Sequence, residues 1–109
     1  MTAQDLLAAG YRKHPPGLKD GADALFQKKI TTTKGTTLYF VNIYLWDFRK
    51  YGRRNMDHLI EFTCEEHFRT RDGFGFSVNA VRIESPEQAE KFLANVYKSL
   101  GCKPYDHWE

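Results

Sequence analysis

The densest cluster of residues able to do chemistry is Arg49-Lys50-Tyr51-Gly52-Arg53-Arg54, four cations in six residues with one tyrosine among them. It follows directly on Tyr44, Trp46 and Phe48. A guanidinium presents a planar fork to phosphate or carboxylate. Aromatic rings stack on bases or anchor a protein interface. Tyr44, Trp46, Arg49, Lys50, Tyr51, Arg53 and Arg54 therefore form the candidate binding surface. A basic run of this length also serves simply to keep a connection solvated, and the two explanations compete.

Other chemistry is thinner. Cys64-x-x-His67 and Cys102-x4-His107 have zinc-like spacing. On a strand, however, Cys64 and His67 point to opposite faces, so no metal is expected. The two cysteines read as free, buried thiols. Glu61, Glu65 and His67 share a strand face and have the residue types of an acid–base pair, but a solvated polar face explains them better. No serine lies in a nucleophile elbow. Asp72-Gly73-Phe74-Gly75-Phe76 joins two strands, whereas a phosphate loop leads from a strand into a helix. Neither an enzyme nor a cofactor is expected.

Positioning these residues requires a scaffold, and the pattern supplies one. Ser85 as N-cap, Pro86 at the first helical position and Gln88 closing a capping box start a helix over 86–100, which Gly101 ends. Its apolar stripe comprises Ala89, Phe92, Leu93, Val96, Tyr97 and Leu100, with Phe92 and Val96 at mid-stripe. A shorter N-terminal helix is capped by Thr2, carries Leu6 and Leu7, and stops at Gly10. Lys13-His14-Pro15-Pro16-Gly17 reads as loop. Four strands are expected between the helices, at Leu25–Thr31, Thr37–Phe48, His58–Arg69 and Phe74–Ile83, with Arg49–Met56 as a polar connection. In the third, Ile60, Phe62, Cys64 and Phe68 oppose Glu61, Thr63, Glu65 and His67. In the fourth, Phe74, Phe76, Val78 and Ala80 should face inward.

The expected fold is α+β in the order α-β-β-β-β-α. It is a single domain over 1–109: a four-stranded antiparallel meander with both helices packed on one face. The long second strand then poses a problem. One face shows Tyr39, Val41, Ile43 and Leu45; the other shows Leu38, Phe40, Asn42, Tyr44, Trp46 and Phe48. The row with Asn42, Tyr44 and Trp46 is expected outside, because Tyr and Trp carry polar groups. Either it meets a partner, or loop 11–24 or the tail Cys102–Glu109 covers it. Lys28, between inward-facing Phe26 and Ile30, should guard an edge strand against aggregation.

Composition bounds the partners. With 109 residues, 41% hydrophobic and 28% charged, the chain is an ordinary globular domain rather than a disordered tail. A net charge of +2 announces neither a nucleic-acid nor a membrane partner. No run approaches the roughly 18 apolar residues of a membrane helix, and residues 1–7 lack the features of a signal peptide. With only two cysteines, a cytoplasmic location is expected.

The segments Gly10-Tyr11-Arg12-Lys13-His14, Leu25-Phe26-Gln27-Lys28-Lys29-Ile30, Tyr39-Phe40-Val41-Asn42-Ile43-Tyr44 and Leu100-Gly101-Cys102 with Tyr105 resemble a family of small phage- and prophage-encoded proteins of uncharacterised activity. The resemblance implies a small binding or inhibitory protein acting on a host or phage protein, or on a second copy of itself. A nucleic-acid accessory protein using the basic loop is the alternative.

Overall fold

The computed structural model describes residues 1–17, 21–51 and 60–108, with only the backbone of Lys50 and Tyr51. Its elements are helix α1 (Ala3–Ala8), strands β1 (Arg12–His14), β2 (Ala24–Thr31), β3 (Thr37–Asp47), β4 (Ile60–Arg69) and β5 (Gly75–Ile83), and helix α2 (Pro86–Ser99). The architecture is α+β, and the five strands pair antiparallel in the order β1-β2-β3-β4-β5. His58, Leu59 and most of the connection up to Met56 lie outside the described residues.

The fifth strand corrects the sequence expectation. Arg12, Lys13 and His14 pair with Gln27, Phe26 and Leu25. Pro15, Pro16 and Gly17 are a loop, as their composition requires, but the residues before Pro15 are extended rather than irregular. All three β1 residues are exposed, so no alternation in burial marks the strand. Lys28 faces inward as expected, but β2 is not a free edge over Leu25–Gln27, because β1 lies beside it. The Lys28 ammonium instead meets Glu90 of α2 at 3.0 Å.

Both helices begin at side-chain caps. Thr2 Oγ accepts from the Asp5 amide at 3.2 Å, and the Asp5 carboxylate accepts from the Thr2 amide at 2.8 Å. Ser85 Oγ accepts from the Gln88 amide at 3.1 Å. Gln88 returns its carbonyl oxygen to the Glu84 amide, one residue before the cap. Gly10 and Gly101 follow the helices with φ of +93° and +59°, a region favouring glycine.

The core lies between the helices and one sheet face. Leu6, Tyr11, Phe26, Tyr39, Val41, Ile43, Phe62, Cys64, Phe68, Ile83, Ala89 and Leu93 are buried there. On β3 the Tyr39 row faces inward and the Tyr44 row outward, as expected. On α2 the buried line runs through Ala89 and Leu93, with Val96 and Tyr97 beside it. Phe92 is not at mid-stripe: it is 38% exposed, one helical step of about 100° from Leu93. Leu100 is 52% exposed. Both thiols are free and buried.

β5 also departs from strict alternation. Cys64 pairs with Val81 but Glu66 pairs with Val78, so β5 carries an extra residue. Ala80 takes up the bulge with φ of +53°. The inward series is therefore Phe76 and Val78, then Val81 and Ile83; Ala80 and Phe74 are exposed. A left-handed alanine is strained, so Ala80→Gly is expected to raise the unfolding free energy by about 0.5–1 kcal/mol. Urea denaturation measures this directly, and a loss of stability would contradict the bulge.

Candidate functional site: the outer sheet face

Because α1 and α2 pack on the same face, the other face carries no α-helix among the described residues, only the 3-10 turn Tyr105–His107 of the tail. Its central row, on β3, is Leu38, Phe40, Asn42, Tyr44 and Trp46, all half-buried. Cross-strand register sets their neighbours: Tyr44 lies between Leu25 and Thr63, and Asn42 between Gln27 and Glu65. Gln27 Nε2 donates to Asn42 Oδ1 at 2.8 Å. Trp46 Nε1 donates to Thr63 Oγ1 at 2.9 Å, and the Trp46 ring stacks on Phe48 with centroids 6.4 Å apart and planes at 13°. Thr63, expected to meet water, is buried beneath this contact.

β3 ends at Asp47 because Phe48–Tyr51 turn into a single 3-10 turn, so Phe48 is not part of the strand. Asp47 organises that turn. Its carboxylate accepts from the Arg49 guanidinium at 2.9 and 2.6 Å, and its amide donates to Asp23 at 2.7 Å. Arg49 is thus already ion-paired, and the Asp47 carboxylate pushes its pKa up. Arg49, one of the four cations of the run, therefore carries its own counter-ion. The side chains of Lys50 and Tyr51, and all of Arg53 and Arg54, lie outside the described residues. Tyr44 and Trp46 stand at one end of the outer face, whereas Arg49 lines a hollow with Met1, Thr2, Ala3, Leu45 and Phe62 on the helix-bearing side.

The opposite end is covered by the tail, one of the two covers the sequence suggested. Cys102 bridges to Thr70, and the Lys103 amide donates to the Arg69 carbonyl at 2.7 Å. Beyond it, Tyr105 packs edge-on against Phe40 at 4.9 Å. Trp108 meets His67 at 5.5 Å and Tyr105 at 4.7 Å, with the Arg69 guanidinium 5.6 Å from its ring centre. The Asp106 carboxylate accepts from the Thr37 amide at 2.6 Å. These tail contacts fall on Phe40, His67 and Arg69.

No protein-family model, curated protein or solved structure matches this chain.

Sequence reasoning passed over one residue here. Asn42–Glu65 is the last pair between β3 and β4, after which β4 diverges. Glu66 reaches into that gap: its carboxylate accepts from the Phe40 amide at 2.5 Å and from its own neighbour's amide, His67, at 2.8 Å. Burial pushes its pKa up to about 7, although the two amides pull the other way. The available signal was parity, since Glu66 falls on the same alternation as Phe62, Cys64 and Phe68.

The sites considered for other chemistry separate in space. Cys64 is buried in the core, whereas His67 is exposed on the outer face. Among the described residues, no three His, Cys, Asp or Glu side chains are placed to share a metal. His67 Nδ1 lies 2.9 Å from Ser77 Oγ, while the Nε2 side of the ring lies against Gly75. No helix among the described residues is long and apolar enough to cross a membrane.

Proposed function

We propose that this chain is a non-enzymatic binding protein that takes a protein partner on the Tyr44–Trp46 end of its outer sheet face. The observation carrying this is the placement of both helices on one face, which leaves two amphipathic aromatics on the central strand of the other, toward one end. Such rings combine a large apolar area with a polar group, the composition that dominates interface energetics. The basic stretch Lys50, Tyr51, Arg53 and Arg54 follows these residues in sequence, and its cations are the proposed source of steering charge. The resemblance to phage-encoded proteins makes a host or phage protein, or a second copy, the partner class.

A protein is favoured over a nucleic acid by the charges beside the aromatics. Glu61 pairs across from Trp46 and Glu65 across from Asn42. Arg49 is already held by Asp47. A phosphate backbone laid along β3 would run beside these carboxylates and be repelled.

The test is direct. Trp46→Ala should weaken partner binding, or self-association read by sedimentation, by at least tenfold, with only a shallow salt dependence. Replacing Arg53 and Arg54 together by alanine should leave stability nearly unchanged and slow association. Retention on single-stranded oligonucleotide that falls steeply with salt, and that loses about one unit of log–log slope per removed contact, would decide for the nucleic-acid alternative.

A further inference from the structure

A second surface lies at the margin of the sheet, along β2. β2 runs to Thr31, but β1 pairs only with its residues Leu25, Phe26 and Gln27. From Lys28 to Thr31, no strand among the described residues pairs on that side, while β3 holds the other side in register. The register step at Ile30/Thr31 places its extra residue, Leu38, on β3, so the β2 edge itself is not interrupted. The edge opens onto a groove of about 510 Å³ whose walls include Gly10, Arg12, His14, Lys29 and Phe40.

The groove is basic. Arg12 pairs across from Gln27, and Lys29 is two residues further along β2, so both project from the same sheet face. Both are exposed, and among the described residues neither forms an ion pair. Lys28 differs, because it turns inward to Glu90.

We propose that the β2 edge at Lys28–Thr31 docks an acidic, extended segment of a partner protein, which adds as a strand in line with β1. Strand addition supplies main-chain hydrogen bonds, and alternate side chains supply specificity. Carboxylates on the outward positions of that segment meet Arg12 and Lys29. The same cations repel the equivalent edge of a second copy, so the margin discourages self-pairing and selects an acidic strand. The far margin, β5, is interrupted by the Ala80 bulge, and its regular stretch Gly75–Val78 carries no basic side chain. A nucleic acid has no backbone amides with which to pair.

The probe is a labelled eight-residue peptide alternating valine and glutamate. It is compared with its lysine counterpart, with a version N-methylated at every second peptide bond, and with an eight-nucleotide oligothymidylate. The acidic peptide is expected to bind and to slow hydrogen exchange of amides within Lys28–Thr31. N-methylation, Lys29→Glu and Arg12→Glu should each weaken it at least tenfold, and the lysine peptide should not bind. Both substituted positions are exposed, and Lys29→Gln, expected to fall between parent and Lys29→Glu, guards against a folding artefact. Absence of binding overturns the proposal, as does protection confined to other amides or equal binding of the N-methylated peptide. Oligothymidylate that displaces the peptide also overturns it, in favour of a phosphate site. Trp46→Ala should leave peptide binding within twofold, so failure here is separable from failure of the outer-face function.

Discussion

Leu93→Ala is expected to lower the unfolding free energy by about 2–5 kcal/mol, whereas Phe92→Ala should cost less than about 1 kcal/mol. The contrast is the informative part, because phenylalanine is the larger side chain. Leu93 is fully buried under α2 and belongs to the same core as Phe26, Ile43 and Phe68. Removing three carbons there leaves a cavity that a sheet held in register on both sides cannot easily collapse. Phe92 already has 38% of its surface in water, so its truncation forfeits only part of its burial and opens no void. Urea denaturation of both variants at one pH gives the two values. A reversed order, with Phe92→Ala the costlier, would mean that α2 is rotated by about one residue from the position described.

Stability is also expected to depend on Glu66. Its carboxyl is buried and its pKa is raised from an ordinary 4.5 to about 7, burial outweighing the two amide hydrogen bonds. Between those pH values the folded chain holds a proton that the unfolded chain has released. The sign follows: this contribution is fully present below pH 4.5, is lost as pH rises to about 7, and is flat above. At about 1.4 kcal/mol per pH unit, the loss attributable to Glu66 is roughly 3 kcal/mol. Other carboxylates impose their own pH dependence, so the measurement is a comparison. Glu66→Gln cannot ionise, and its stability should lack the decline that the parent shows between pH 4.5 and 7. It should also lose some stability at low pH, because an amide oxygen accepts at only one of the two amide positions. Parallel profiles for parent and variant would show that Glu66 titrates as an ordinary glutamate. The effect would be felt where β3 and β4 part, since the carboxylate bridges them at Phe40.

Much of this molecule is visible in its local sequence. The Ser85-Pro86 start, the Gly101 stop and the Thr2–Asp5 cap are interactions among residues three or four apart, so a short window contains both partners. The inward row Tyr39, Val41 and Ile43 follows from a period of two, which survives wherever a strand is regular. Antiparallel order follows from short connections between successive strands. The candidate aromatics Tyr44 and Trp46 were legible from parity, which put them in one row, and from their polar groups, which marked that row as the outer one.

What tertiary structure decided was wherever a partner is distant in sequence or periodicity is broken. β1 is three exposed residues, and only pairing with β2 makes it a strand. The Ala80 bulge inverts the facing of β5 partway along, and nothing local requires it. Phe92 and Leu93 are adjacent apolar residues; which one is buried depends on the rotation of α2 against the sheet. Glu66 looks like one more surface carboxylate until β3 and β4 diverge and its side chain takes over a backbone hydrogen bond. Arg49 reads as a free cation until Asp47 is seen to hold it. The tail reaches Phe40 from 65 positions away in sequence, through Tyr105. Caps, turns and parity are short-range and leave their mark on the chain itself; edges, bulges and ion-pair choices depend on which segments meet.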